Sequence, residues 1–282
     1  MPSKSAFKPG EFAVTWITRI FVWIVILLSL IPMLYVVTAS FNPGQADFSA
    51  SLIPPNASFS NYVDLFDKTN FGIWIRNSTL VAVVVSTAQV FLTGMGAYAF
   101  SRMKFFGRKY GLMTLILLQM FPGVLSVAAI YAVLAQWGIL DNLWVYILLL
   151  IGGSAFSIWL VKGYYDTIPR ELDEAAIMDG ANHWVVFWRV ILPLARPMLA
   201  VIFFLSLIGT YSEYVLGSVV LQSPQNFTLG LGMYSLVSGQ FASHAWGEFA
   251  AAALISAVPL TLGFAFLSPL ISKGLTAGSI KG

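Results

Sequence analysis

Between Ile20 and Val37 the chain runs for 18 residues without a charged side chain, and five later stretches approach the same length. A helix crosses a hydrocarbon core in about 20 apolar residues. Stretches 17–38, 77–100, 111–134, 144–162, 198–221 and 248–271 are therefore expected to be six transmembrane helices of an all-α polytopic membrane protein. With 58% apolar and 10% charged residues, the chain lacks the polar surface of a soluble fold, which carries roughly 25% charge. The alternating pattern of membrane barrel strands is missing. Pro32, Pro122 with Gly123, Gly152 with Gly153, and Pro259 fall inside these stretches. In a membrane bundle, neighbouring helices can satisfy the backbone groups that such residues release. Gly94, Gly96, Ala97 and Ala99 suit close helix packing.

Six spans with a cytoplasmic N-terminus put 13 of the 15 Lys and Arg inside, leaving only Lys68 and Arg76 outside. The positive-inside rule then predicts both termini in the cytoplasm. The expected order is a cytoplasmic N-terminus 1–16, the first span, an external loop 39–72, a five-span core 73–271, and a cytoplasmic tail 272–282. The core contains a cytoplasmic loop 163–197 and an external loop 222–247. Lys4, Lys8 and Val37-Thr38-Ala39 resemble the flanks of a signal peptide, but the apolar run exceeds the usual 7–15 residues, so a retained span is expected. A formal charge of +3 gives no reason to expect nucleic acid. The lack of cysteine excludes disulfides, thiol catalysis and thiolate metal sites.

The external loop 39–72, with Pro43, Gly44, Pro54 and Pro55, reads as an irregular cap. The basic loop 101–110 is expected to anchor orientation and nothing more. Loop 163–197 is long for a connection and reads as two helices. Thr167 can cap the first, Pro169 suits its first turn, and Glu171, Asp173 and Glu174 oppose the positive end of the helix dipole. Gly180 permits the left-handed turn that would end it. Asn182 can cap a second helix carrying Trp184, Val185, Phe187, Trp188, Ile191 and Leu192, ended by Pro193. That helix can pack under the bundle, while Ala175 and Ala176 offer a small-faced knob for a groove on another protein.

Glu174-Ala175-Ala176, Gly180 and Leu192-Pro193 resemble the cytoplasmic EAA loop of bacterial ABC import permeases, with Val190 where that pattern has isoleucine. Ala97-Tyr98-Ala99-Phe100-Ser101-Arg102-Met103, Trp246-Gly247-Glu248-Phe249-Ala250-Ala251-Ala252 and the tail from Gly274 to Gly282 are similar to the MalG type of these permeases. The resemblance implies a type I importer fold in a bacterial plasma membrane, surrounded by lipid. It implies a MalF-like permease partner, two ATPase subunits that carry ATP and Mg, and an extracytoplasmic sugar-binding protein. The cargo implied is maltose, maltodextrin or a related oligosaccharide. The implied ATPase-coupling residues are Glu171, Asp173, Glu174, Ala175, Ala176, Asp179, Gly180, Leu192 and Pro193. Thr276, Ala277, Gly278 and Lys281 would form an ATPase-contacting tail. Ser238, Gly239, Gln240 and Trp246 would face the binding protein.

The chain has no Gly-Lys dipeptide, so the phosphate-cradling Walker loop is absent and this subunit is expected to be non-catalytic. Energy would arrive by contact, through movement of helix 171–180. Glu213 is the one carboxylate well inside an expected span, beside Tyr211, Ser212 and Tyr214. Such a group marks either an aqueous path or a structural hydrogen bond to a neighbouring helix. His183 and His244 fall on opposite sides of the membrane in this topology, so no metal site is expected. Asn56-Ala57-Ser58 and Asn226-Phe227-Thr228 match a glycosylation pattern by accident. A secondary transporter would favour several intramembrane acids and an internal repeat. A membrane enzyme would need an assembled nucleophile, metal ligands or paired acids. An ABC permease for a polyamine, phosphate or peptide is the nearest alternative, opposed by the MalG-like segments alone.

Overall fold

The computed structural model describes residues 9–43, 56–238 and 246–277. They fall into two compact units, Met1–Lys68 with Leu236–Ile255, and Thr69–Ser235 with Ser256–Gly282. All regular structure among the described residues is helical.

In the first unit, α1 (Pro9–Ser40) contains a 27-residue stretch, Val14–Ser40, of mean hydropathy 2.8. Its side chains are exposed almost throughout, as suits a helix solvated by lipid. Within stretch 39–72, expected to be irregular, Ser60–Lys68 form a helix, α2. Asn61, buried on α2, donates through Nδ2 to Ser40 O at 3.0 Å and Asn42 O at 2.8 Å, satisfying carbonyls at the end of α1. Gly247 lies so close that a Cβ there would sit 2.4 Å from Asn61 Nδ2.

The second unit is built on α3 (Phe71–Arg102), an unbroken 32-residue helix. Against it pack α6 (Leu143–Ile151), α7 (Ala155–Asp166) and α11 (Arg196–Tyr211). Gly96 lets α7 approach, since a Cβ there would meet Ile158 at 3.0 Å. One buried cluster joins Ala97, Tyr98, Val161, Tyr165, Phe187, Ile191 and Leu199. A second joins Val81, Val85, Leu134, Tyr146, Ile147 and Val220.

Among the described residues, three helices are long and apolar enough to span a membrane: Val14–Ser40, Phe71–Arg102 and Trp246–Leu270, the last within α14 (Trp246–Ala277). Three bent pairs raise the count to six if each is one span. Helices α4 (Arg108–Gln119) and α5 (Val124–Trp137) meet at 89° around Pro122 and Gly123, and α6 and α7 at 46° around Gly152 and Gly153. The third pair joins His183–Leu194 to α11 at 79°.

Stretch 198–221 is not one helix. The helix stops at Tyr211 after 16 residues, about 24 Å of rise, and a short α12 (Gly217–Val220) follows. At the break the Glu213 carboxylate accepts from Leu216 N at 2.6 Å and Gly217 N at 3.1 Å, in competition with the helical ladder.

Candidate functional site

Loop 163–197 folds as two helices. The first, α8, spans Glu171–Met178 with Glu171, Asp173 and Glu174 in its first turn. Thr167 does not cap it, because its hydroxyl donates to Tyr164 O at 2.7 Å and closes α7 instead. At the far end, Asp179 is the last residue before Gly180, whose φ of +88° reverses the chain. Gly180 N donates to Ile177 O and Ala181 N to Ala176 O, both at 2.9 Å, so two otherwise orphaned carbonyls are satisfied in a Schellman turn. Asn182 Oδ1 then accepts from Val185 N at 2.9 Å and caps α9 (His183–Val186).

The second helix does not end at Pro193. After α9 the backbone widens into a π-helical turn, Phe187–Ile191, and continues through α10 (Leu192–Leu194). Pro193 has no N–H to offer the preceding turn. Leu192 N reaches back to Phe187 O across the widened turn, and helix geometry persists past the proline.

Burial divides the loop. Val186, Phe187 and Ile191 are fully buried against α3 and α7, so this helix does pack under the bundle. Ala176 turns partly into the same cluster. Glu171, Glu174, Ala175, Ile177, Asp179 and Gly180 remain exposed, Met178 is 86% exposed and Trp184 60% exposed. An apolar face on a polar loop is thus held on a rigid support.

The support includes contacts that the sequence did not reveal. Asp173, buried on α8, meets Arg102 Nε at 2.5 Å, with side-chain exposures of 11% and 5%. Arg102 Nη2 also donates to Ile168 O at 2.8 Å. Tyr98 Oη lies 3.1 Å from His183 Nδ1, tying α3 to the second loop helix as well. Ser101 Oγ donates to Asp166 Oδ1 at 2.6 Å, and Lys162 Nζ pairs with Asp166 Oδ2 at 2.6 Å. The first residues of loop 101–110 thus fasten α3 to α7 and α8, a role beyond the anchoring of orientation expected of it. Little in the sequence signals this pair, because Asp173 stands among the acids Glu171 and Glu174, and Arg102 lies 71 positions away.

Around Glu213, Tyr211 is buried, Tyr214 packs on Tyr234 with ring centroids 4.7 Å apart and planes tilted by 44°, and Ser212 is exposed. The Tyr146 hydroxyl donates to the Glu213 carboxylate. With two backbone N–H groups and one phenol bound, Glu213 is occupied by the protein's own fold. A Cβ at Gly230 would sit 2.9 Å from Glu213 O, so the following helix, α13 (Leu229–Val237), comes close to this turn.

Residues 91–276, two thirds of the chain, match the family described as binding-protein-dependent transport system inner membrane component. The chain belongs to that family. This permease is 37% identical to the galactooligosaccharides transport system permease protein GanQ of Bacillus subtilis (strain 168), over 89% of its length and 90% of the relative. It is also 37% identical to the maltose/maltodextrin transport system permease protein MalG of Vibrio vulnificus (strain YJ016), over 95% and 96%. Its fold is similar to that of a bacterial ABC transporter involved in the import of the acidic polysaccharide alginate, with a TM-score of 0.79 at 22% identity, covering 94% of this chain and 99% of that one.

At the opposite end of α3 from the loop, Asp141, at φ +58°, gathers the segment after α12. Its Oδ1 accepts from Gln222 N and Ser223 N, both at 2.9 Å, the Ser223 hydroxyl donates to Oδ2, and Asn226 Nδ2 donates to Asp141 O at 2.7 Å. Burial opposes ionisation of this carboxyl, but the Ser223 and Gln222 hydrogen bonds outweigh it and hold the pKa at about 2. Asn77 Nδ2 donates to Gln225 O and Phe227 O, and Ser78 Oγ accepts from Leu229 N, fastening the same segment to α3.

Of the residues expected to face a binding protein, Ser238 follows α13 and Trp246 opens α14, its ring stacked on Phe249 at 5.4 Å. Gly239, Gln240 and His244 lie outside the described residues, as do Gly278 and Lys281 of the tail. Thr276 and Ala277 end α14. Among the described residues no group of three His, Asp or Glu could hold a metal.

Proposed function

We propose that this permease is one transmembrane half of an ATP-driven importer for a maltodextrin-like or related oligosaccharide. The names of its relatives support the cargo: galactooligosaccharide, maltose/maltodextrin and maltodextrin permeases, 34–37% identical over 89–95% of the chain. It crosses the bacterial plasma membrane six times, by the three long helices, by the bent pairs α4–α5 and α6–α7, and by α11, with both termini in the cytoplasm. A MalF-like subunit completes the path. Two partner subunits hydrolyse ATP, and an extracytoplasmic binding protein delivers the sugar. A solved alginate transporter in complex with an alginate pentasaccharide-bound periplasmic protein, of TM-score 0.68 to this chain, supports that division of labour.

The observation that carries the mechanism is the exposed face of α8 held by a buried ion pair. Ala175, Ile177 and Met178 dock into a groove on the ATPase. When nucleotide binding closes the ATPases, α8 moves. The Arg102–Asp173 pair and the Tyr98–His183 contact then pass that motion to α3, the helix on which the second unit is packed. Glu213, already bound by Tyr146 and two backbone N–H groups, shapes the broken helix end beside the path without contacting sugar.

The test is co-purification of the permease with its ATPase in detergent. Hydrolysis should rise when a binding protein loaded with maltodextrin is added, and Met178→Asp, which leaves the packed faces intact, should detach the ATPase. A permease that inserts without any associated nucleotidase, or an α8 labelled only from the exterior, would refute the reading.

A further inference from the structure

A groove of about 550 Å³ runs between α4 and α7, and its two ends differ chemically. One end holds Arg108, Lys109 and Lys162, while Leu112, Met113, Ile116, Leu117, Phe156 and Trp159 line the rest. The helices are antiparallel here. Lys109 at the start of α4 lies near Lys162 late in α7, whereas Gln119 Oε1 at the end of α4 accepts from Phe156 N at 3.0 Å. The spacing Lys109, Leu112 or Met113, Ile116 or Leu117 keeps one helical face along the groove, about 12 Å from charge to apolar end.

The charged end opens into a second cavity of about 800 Å³ that adds Lys104 and again includes Arg108, Lys109 and Lys162. Among these four cations, only Lys162 has a carboxylate within ion-pair distance among the described residues, namely Asp166. Arg108 spends Nε and Nη2 on Phe100 O and Ser101 O, which fixes its guanidinium at the rim. The first turn of α4 carries no acidic residue, so its positive helix end adds to the same field. Phe106 is fully exposed beside the cluster and Tyr110 largely so, the placement of side chains that sit among headgroups.

We propose that this groove binds one anionic phospholipid of the cytoplasmic leaflet, its phosphate held by Lys109, Lys162 and Arg108 and an acyl chain lying between α4 and α7. Charge complementarity selects this occupant. A neutral protein helix would leave at least three cations without counter-charge, and a zwitterionic headgroup would bring its own cation into the cluster. The proposal rests on the cytoplasmic orientation given under Proposed function.

The experiment uses the permease purified with its partner subunits, delipidated in detergent and titrated with dioleoyl phosphatidylglycerol under native mass spectrometry. Wild type should retain one phosphatidylglycerol in preference to phosphatidylcholine, and millimolar inorganic phosphate should not displace it. Each lysine near an anionic surface is worth about fivefold in affinity, so Lys109→Gln with Lys162→Gln should bind about 30-fold more weakly, and the arginine pair at the same positions should restore retention. Because the chain has no cysteine, Met113→Cys can carry a benzophenone, and its photoproduct should be lipid. Equal retention by the glutamine variant, displacement by free phosphate, or a photoproduct with another subunit would each overturn the proposal. Impermeant thiol labelling of Phe106→Cys separates the causes: labelling from the cytoplasm with no lipid bound sinks this site alone, and labelling from the exterior sinks the orientation.

Discussion

Removing Asp173 isolates the contact on which the coupling mechanism depends. In Asp173→Ala the Arg102 guanidinium, 5% exposed, loses its counter-charge 2.5 Å away. Breaking a buried pair by deleting one partner costs about 3–5 kcal/mol. Arg102 keeps its bond to Ile168 O at 2.8 Å and a long one to Ser101 Oγ at 3.4 Å, which places the expected loss near the lower end, about 3 kcal/mol. For a chain of this size that is a fall of roughly 6–12 °C in melting temperature, read by fluorescence-detected gel filtration of the complex. Replacing both partners, Arg102→Met with Asp173→Leu, fills the site with apolar atoms and should recover stability to within about 1 kcal/mol. If the ion pair transmits motion from α8 to α3, the double variant should import sugar much more slowly than wild type while its ATPase runs, since apolar side chains lack the ionic tie. The reasoning is refuted if Asp173→Ala melts within 2 °C of wild type, by roughly the conversion above. Full uptake by the stable double variant would remove the pair from the coupling path.

Gly180→Ala meets no atom within 4 Å, so its cost is the left-handed backbone alone, about 1 kcal/mol, and uptake should fall only modestly. Gly180→Pro cannot adopt φ +88° and loses the N–H to Ile177 O, so the subunit should insert yet fail to transport; unchanged uptake would count against the docking role. Gly232→Ala would drive a Cβ to 2.1 Å from the Trp74 ring, a collision between a helix backbone and a buried side chain, and should cost about 3 kcal/mol in melting experiments. Asp141 has a depressed pKa, so its contribution is fully present above its ordinary value of 3.8 and disappears as pH falls toward about 2. Solvent screening at this partly exposed site keeps that contribution to about 1 kcal/mol, and Asp141→Asn should flatten the acid dependence of the melting temperature in that window.

Much of loop 163–197 was legible because its signals are local. A glycine that tolerates positive φ, an asparagine two residues later, and acids in a first turn each act within a few positions, and the structure places Gly180, Asn182 and Glu171 accordingly. Thr167 and Pro193 misled for the complementary reason. Each is compatible with two local outcomes, and the end of α7 and the widened turn at Phe187–Ile191 decided between them. The same holds for stretch 198–221, where hydropathy sees apolar residues but not that Glu213 can capture the N–H groups of Leu216 and Gly217.

By itself the sequence determined an all-helical membrane protein, where helices can start and stop, and the family pattern of loop 163–197, because burial in lipid and backbone capping depend on composition and short spacing. Only the tertiary structure decided that Asp173 faces Arg102, that Ala176 turns inward while Met178 stays out, and that three cations from α4 and α7 share one groove. Those are meetings between residues distant along the chain, set by how α3, α4, α7 and α8 pack, and no local rule encodes which charge finds which.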